Sequence, residues 1–171
     1  MKNPVSFTLK SKGGLLNVLS TVVHIHNPNT GAFLPFNAIW DTGATGTAIT
    51  SNVVKSLGLI PTGGKNVSTA NGIIYQNTHI INVGIPNLAI IQGLVATDLG
   101  SLAGGCDVLI GMDIINLGDF SITNHNGITC LSFRMPSSHE IDYVTHPTLK
   151  VQKTASTGSN YTPPKKKRKK R

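Results

Sequence analysis

Short stretches of alternating apolar and polar residues recur along this chain, and they restrict it to a fold built mainly from β-strands. In residues 18–26, Thr21, Val23 and Ile25 share one face and Val22, His24 and His26 the other, which is the pattern of a strand with one buried side. Turn-forming residues fill positions 27–31, and residues 33–40 then have the composition of a returning strand. The second half lacks the strand–helix rhythm of βαβ units, so we expect an antiparallel or mixed all-β body.

Further strands and two short helices are predicted along the body. A helix is expected at residues 52–57, with Thr50-Ser51 as a possible N-cap and Gly58 as its end. Residues 112–117 suit one or two helical turns. A hairpin is predicted from Lys65–Ala70 and Ile73–Thr78 around Asn71-Gly72, a strong signal for a two-residue type I′ turn. The remaining strand-like runs are 79–85, 88–96, 107–110, 119–123 and 128–134.

The positive charge of the chain is concentrated at its end. The net charge is +8, but residues 1–149 hold six Lys/Arg against seven Asp/Glu, whereas residues 150–171 hold nine Lys/Arg and no acid. Charged residues make up 13% of the chain, against about 25% in an ordinary domain. The near-neutral body excludes nucleic-acid binding by a broad cationic face.

The polar, basic composition of the C-terminal segment predicts two parts, a domain at 1–144 and a disordered tail at 145–171. The run at 165–171 is similar to a monopartite nuclear import signal, which an import receptor would bind. It equally suits non-specific nucleic acid or an anionic membrane surface, and a merely solvated end is about as well supported. An import signal has meaning only in a eukaryotic host.

Cysteine usage and hydropathy favour a cytoplasmic protein, with a nuclear location as the alternative. The two cysteines make no disulfide framework, and no secretory signal or stretch of 18 apolar residues is evident. His24 and His26 share a strand face without an identifiable third ligand, so we expect no metal and no cofactor.

One tetrapeptide carries recognisable chemistry. Asp41-Thr42-Gly43-Ala44 follows an apolar strand, so its carboxylate would lie on a tight turn at the base of a pocket. Gly43 allows the backbone to approach that carboxylate closely, and Thr42 has a hydroxyl that can bond a neighbouring chain. The alternative is an Asx-type turn that only caps a strand.

A second segment lies about 70 residues further on. Val108–Gly111 is an apolar triplet ending in glycine, and the helix-like Met112–Ile115 follows. Together with the Asp41 tetrapeptide and the hairpin, this order resembles the retropepsin family, the single-domain aspartic proteases of retroviral type and their cellular and bacterial relatives. The resemblance spans roughly residues 15–134.

The resemblance implies a single-lobe acid-protease fold: a closed barrel with one or two short helices and an active site at a C2 dimer interface. Aspartic proteases use two carboxylates that share a proton, yet this chain has one Asp-Thr-Gly. Asp98-Leu99-Gly100 is a poor imitation placed too close to serve as a second lobe. The resemblance therefore implies a homodimer with paired Asp41 residues, acting as an endopeptidase on an extended polypeptide.

The resemblance also assigns roles to neighbouring residues. Thr42 and Gly43 would join Asp41 in the catalytic turn, with Thr42 locking the two turns together. Residues 65–78 would form a flap hinged near Gly63-Gly64. The expected substrate-binding residues are Ala44, Thr45, Ala70, Asn71, Gly72, Ile73 and Ile110.

Two departures separate this chain from viral members. Thr45 and Met112 stand where viral enzymes commonly have an Asp and an Arg that form an ion pair. Both partners are replaced together, so no buried charge is left alone. The Gly-Met-Asp-Ile-Ile sequence at 111–115 looks more like cellular and bacterial members. A catalytically silent, dimeric peptide-binding or tethering module with a nucleic-acid-binding tail remains the alternative.

Overall fold

The structure is a computed structural model, and it describes residues 5–69, 72–85, 87 and 89–145. Within these ranges the chain forms ten strands, two short α-helices and two 3₁₀ turns. The strands are β1 (Val5–Lys10), β2 (Ser20–His26), β3 (Phe33–Trp40), β4 (Ala48–Ile49), β5 (Gly63–Thr69), β6 (Gly72–Ile85), β7 (Ala89–Asp98), β8 (Val108–Ile110), β9 (Asp119–Thr123) and β10 (Cys130–Met135). The helices are α1 (Ser51–Leu57) and α2 (Met112–Ile115).

Among the described elements, six strands close into a barrel in the order β2-β3-β8-β4-β7-β6, and β6 returns to pair with β2. The closing contact is antiparallel and places His24 opposite Gly84. The pairings of β3 with β8 and of β4 with β7 are parallel, so the barrel is mixed, as the sequence predicted. β5 is attached to the outer edge of β6.

Strand alternation fills the barrel with aliphatic side chains. Val23 and Ile25 on β2 are fully buried, and so are Ile81 and Val83 on β6. Burial of each such side chain contributes roughly 1.5–3 kcal/mol. The other core residues include Phe36, Ala38, Ile49, Ala96, Val108, Ile110 and Ile114.

A smaller antiparallel sheet, in the order β1-β10-β9, packs on the barrel through aromatic rings. The Trp40 ring stacks on Phe120 with 5.4 Å between centroids and lies 5.3 Å from Phe133 and 5.9 Å from Phe7. Trp40 Nε1 also donates to Thr21 Oγ1 over 2.9 Å. Since Trp40 is the last residue of β3, these contacts fix the point at which the Asp41 turn begins.

Helix α1 follows the prediction closely, except at its first residue. Gly58 ends it in the left-handed conformation with φ of 59°, which glycine adopts without steric cost. Thr50 occupies the N-cap position, but its hydroxyl makes no capping bond and instead donates to Asp107 Oδ1 over 2.9 Å. A longer-range partner therefore replaces the expected local one.

The predicted hairpin forms with a different register. Thr69 pairs with Gly72, so Gly72 belongs to β6 and the prediction of an Asn71-Gly72 turn was wrong, while Asn71 lies outside the described residues. The observed register places Val67 opposite Ile74, an apolar cross-strand pair, whereas the predicted turn would oppose Val67 to Gln76. Cross-strand packing outweighs the local turn signal here.

The chain divides into two units, residues 1–139 and 140–171. In the second unit, Asp142 accepts a hydrogen bond from the Val144 N–H over 2.8 Å, which lowers its pKa. The predicted tail lies largely outside the described residues, and the predicted boundary at 144 and 145 stays a prediction. In the described part of the chain no helix is long and apolar enough to cross a membrane.

One carboxylate holds the segment that follows β10. Asp119 accepts hydrogen bonds from the Ser137 hydroxyl and the Ser138 N–H and pairs with Arg134. These three contacts hold the pKa of Asp119 far below its usual range, and their effects on the pKa decrease in the order Ser137, Ser138, Arg134. A carboxylate with a lowered pKa stabilises the fold above the unfolded-state pKa and loses that effect only as the pH falls through the folded value.

We predict that Asp119→Asn releases residues 136–139 from the sheet at neutral pH, because the variant lacks the charge that attracts these donors. Wild type should keep amide protection at Ser138 down to about pH 3, and hydrogen–deuterium exchange measures it. Asp142→Asn is the matched control and should leave this protection unchanged. Equal exchange in wild type and Asp119→Asn would contradict the prediction.

Candidate active site

Asp41 lies at the end of β3, where the barrel meets solvent. Its N–H donates to the carbonyl of Ile110 over 3.0 Å, which extends the β3–β8 pairing by one residue. Its Oδ1 accepts from the Gly43 N–H over 2.8 Å, so the turn orients the carboxylate. A Cβ on Gly43 would lie 3.2 Å from the same oxygen, so glycine gives that oxygen the most room.

Backbone contacts hold the turn from beneath. The Ala44 N–H donates back to the Asp41 carbonyl over 3.3 Å, and the Ala44 carbonyl accepts from the Met112 N–H over 2.8 Å. The first contact closes the turn, and the second attaches it to the first residue of α2. The two segments that the sequence singled out are therefore joined directly.

Gly46 and Gly111 make the closest approach in this site. A Cβ on Gly111 would collide with the backbone of Gly46, including its Cα at 2.9 Å. No real Cβ tolerates such a distance, so only glycine at 111 lets the two backbones pass. This contact sets the distance between the Asp41 turn and the start of α2.

Asp113 fastens the same crossing through its side chain. Its two carboxylate oxygens accept from the N–H and the hydroxyl of Thr47, each over 2.8 Å, and Oδ1 also accepts from the Ile114 N–H over 2.9 Å. The buried Thr47 hydroxyl lies 3.4 Å from the Gly111 N–H as well. Sequence reasoning noted Asp113 but gave it no role, and it did not find Thr47.

The surface of the turn is open. Thr42, Gly43 and Thr45 are exposed, while Asp41 and Ala44 are partly buried. These five predicted residues lie together at one end of the barrel and present polar groups to solvent. An exposed Thr42 beside a partly exposed Asp41 is the arrangement that a symmetric partner or a peptide can reach.

The other predicted site residues fall elsewhere. Ile110 is fully buried in the core of the single chain, and its role in substrate contact stays a prediction. Ala70 and Asn71 lie outside the described residues. Gly72 and Ile73 begin β6 beside the hairpin connection, and Ile73 is strongly exposed.

The base of the hairpin has its own packing. The Tyr75 ring covers Gly64, and any Cβ at that position would collide with the ring. Tyr75 is exposed and the far end of its side chain can shift, so this contact alone does not require glycine at 64, and hinge motion stays a prediction.

No metal centre was found in the described part of the chain, where no three His, Cys, Asp or Glu side chains are placed to hold an ion. The imidazole of His26 stacks on Phe33 with 4.9 Å between centroids, and His24 meets the same ring edge-on. The paired histidines thus form part of an aromatic surface on the barrel.

A model of one protein family, the gag-polyprotein putative aspartyl proteases, matches residues 31–116, half of the chain. The chain belongs to this family. The matched segment contains the Asp41 turn, the hairpin and the Gly111–Asp113 support. No curated protein sequence matches the chain.

Two solved structures are similar to this chain. The retropepsin-like aspartic protease from Rickettsia conorii matches with a TM-score of 0.50 at 16% identity, over 79% of this chain and 98% of that one. The EIAV protease complexed with the inhibitor HBY-793 matches with a TM-score of 0.45 at 19% identity, over 59% of this chain and 88% of that one. The Rickettsia conorii match shows that the chain has the single-lobe retropepsin-like fold, and the described residues form its closed six-strand barrel.

We predict that Gly111→Ala strongly destabilises the protein, because the new methyl group would meet backbone that cannot rotate away. Overpacking of this kind costs about 1–3 kcal/mol or more, and thermal melting measures it. Gly13→Ala is the matched control, since a Cβ at Gly13 has no neighbour within 4 Å. A melting temperature for Gly111→Ala equal to that of the control would show that the crossing is looser than the structure indicates.

Proposed function

We propose that this protein is an aspartic endopeptidase that acts as a homodimer, with one Asp41 from each subunit in a single active site. The observation that carries the proposal is the Asp41 carboxylate, held by the Gly43 N–H at the open end of the barrel beside an exposed Thr42. Membership of the gag-type aspartyl protease family supports it.

The chain offers no second catalytic carboxylate of its own. The sequence contains one Asp-Thr-Gly, and the nearest imitation begins at Asp98. Asp98 Oδ1 accepts from the Gly100 N–H over 2.8 Å and from the Ser51 hydroxyl over 3.1 Å. It therefore acts as a structural acceptor beside α1, and a second copy of the chain has to supply the partner of Asp41.

The two Asp41 residues would divide the reaction between them. Two carboxylates in contact hold one proton between them, because two negative charges at that distance repel strongly. The ionised carboxylate takes a proton from a water molecule, which attacks the peptide carbonyl carbon. The protonated carboxylate donates a hydrogen bond to the carbonyl oxygen and stabilises the charge that develops there. Collapse of the tetrahedral intermediate breaks the C–N bond, and the leaving nitrogen takes up the proton that the first carboxylate removed from water.

The substrate would be an unfolded or extended polypeptide. The exposed Gly43 presents backbone polar groups on the turn, and the β5–β6 hairpin provides strand backbone on the other side of the cleft. An extended peptide can hydrogen-bond to both in the manner of an added strand. The hairpin would act as the flap that excludes water from the reaction.

We predict that Asp41→Asn lowers the cleavage rate of an unfolded protein at least about 1,000-fold, because the variant loses the proton-sharing pair. Mass spectrometry of a denatured, reduced test protein after incubation measures the cleavage. Asp98→Asn is the matched control and should retain activity, since its amide oxygen can still accept from Gly100. Equal cleavage by the two variants would reject the proposal, as would no cleavage by dimeric wild type.

The dimer itself gives a separate prediction. Thr42→Ala should raise the dimer dissociation constant roughly 10- to 50-fold, because each of two symmetric hydrogen bonds contributes about 1 kcal/mol. Sedimentation velocity over a range of protein concentrations measures this constant. The matched control is Thr30→Ala, an exposed residue in the turn before β3, at the opposite end of that strand. An unchanged dimer dissociation constant in Thr42→Ala would show that Thr42 does not contribute to the interface.

A further inference from the structure

A lysine from the flap hairpin reaches the active-site turn. The Nζ of Lys65 on β5 lies 3.7 Å from the point that a Cβ on Gly46 would occupy, and Asp113 Oδ2 lies 3.8 Å from the same point. Gly46 follows the Asp41 turn by a few residues. A cationic group from one side of the cleft therefore lies over the turn on the other side.

The ammonium group of Lys65 is not engaged in an ion pair. Across the residues that the structure describes, the ion pair is Arg134–Asp119, and the carboxylate of Asp113 is occupied by the donors of Thr47 and Ile114. The lysine is exposed, and Gly46 has no side chain to fill the space beneath it. The positive charge thus remains available to a ligand, while Asp113 draws it towards the turn.

The position of Lys65 also identifies which face of the hairpin lines the cleft. Successive residues of a strand point to opposite faces, so Val67 shares the face of Lys65, and their cross-strand partners are Ile74 and Gln76. The opposite face carries the ring of Tyr75 over Gly64. The cleft face therefore combines one cation at the base of the hairpin with an apolar pair nearer its end.

We propose that Lys65 is a specificity-determining residue that selects substrates with an Asp or Glu side chain, next to apolar residues that pack on Val67 and Ile74. This inference rests on the proposed function, because it assumes that a peptide lies between the hairpin and the Asp41 turn. The acidic side chain would occupy the space that Gly46 leaves open and pair with the lysine ammonium. Gln76, across from Lys65, offers an amide donor to the same carboxylate.

The size of the preference follows from where the pair would form. Ion pairs at exposed positions contribute little, and exclusion of water strengthens them. A pair at the rim of a cleft should therefore change peptide affinity by about 3- to 10-fold. Because both charges stay close to solvent, salt should weaken the preference strongly.

The test measures binding separately from cleavage. Fluorescently labelled eight-residue peptides of apolar composition carry a single Glu, Gln or Lys at each position in turn. Their affinity for the Asp41→Asn protein, which leaves them intact, is measured by fluorescence anisotropy at low and high salt. Glu should bind about 3- to 10-fold more tightly than Gln at one or two positions.

Variants of Lys65 then assign the preference to this residue. Lys65→Met should abolish the difference between Glu and Gln, and Lys65→Glu should reverse it in favour of a lysine at the same position. Lys55→Met, an exposed lysine on α1, is the matched control and should leave the preference intact. All three substitutions replace an exposed lysine, and a melting curve verifies that each variant folds.

The outcomes separate this inference from the proposed function. Equal binding of Glu and Gln peptides at every position, or a preference that survives Lys65→Met, overturns the inference, whereas Asp41-dependent cleavage by wild type still supports the peptidase. Charge-selective binding that depends on Lys65 supports the inference even if wild type cleaves nothing. Selective binding without any cleavage by wild type would reject the peptidase and leave a peptide-binding protein with the same selectivity.

Discussion

The contact between the Gly46 and Gly111 backbones is the constraint on which the rest of the site depends. It brings two segments that are far apart in sequence to a distance that a methyl group would prevent. The Ala44–Met112 hydrogen bond and the Thr47–Asp113 pair then lock the crossing. Because Asp41 lies between β3 and this crossing, its carboxylate has little freedom to move relative to the barrel. A site preorganised by backbone contacts is positioned before any substrate arrives.

The support of this site relies on hydrogen bonds from neutral donors. Viral relatives commonly place an ion pair near the catalytic turn, whereas here Thr45 and Met112 stand at those positions. Asp113 takes part of the structural role by accepting from neutral donors, which needs no buried cation. Lys65 on the hairpin makes no ion pair with any of the described residues.

Much of the fold was predictable from the local sequence pattern, whereas the contacts that build the site were less predictable. The strand at 119–123 matches its predicted bounds because Phe120 and Ile122 alternate with polar residues, and the strand at 33–40 matches because turn residues lie on either side of it. β4 escaped prediction since two residues hold no periodicity, and β1 was missed although Val5, Phe7 and Leu9 alternate with polar residues. The Asp41 turn and the segment at 108–115 were predicted from their own residues, and their joint role was predicted from the resemblance. The Gly46–Gly111 crossing, the Thr47 hydroxyl and the reach of Lys65 arise between distant segments, which no local window contains.

The pairing of β1 with β10 has a consequence for how the protein is made. Val5 lies opposite Met135, so the first strand of the body has its partner near the end of that body. During synthesis β1 leaves the ribosome early and must wait until residue 135 has followed. Through that interval its unpaired edge and the rings of Phe7 and Trp40 stay open to other chains, which favours association with chaperones or premature aggregation. The order of synthesis therefore makes the small sheet the last part of the body to form, and Trp40, beside Asp41, becomes fully packed only then.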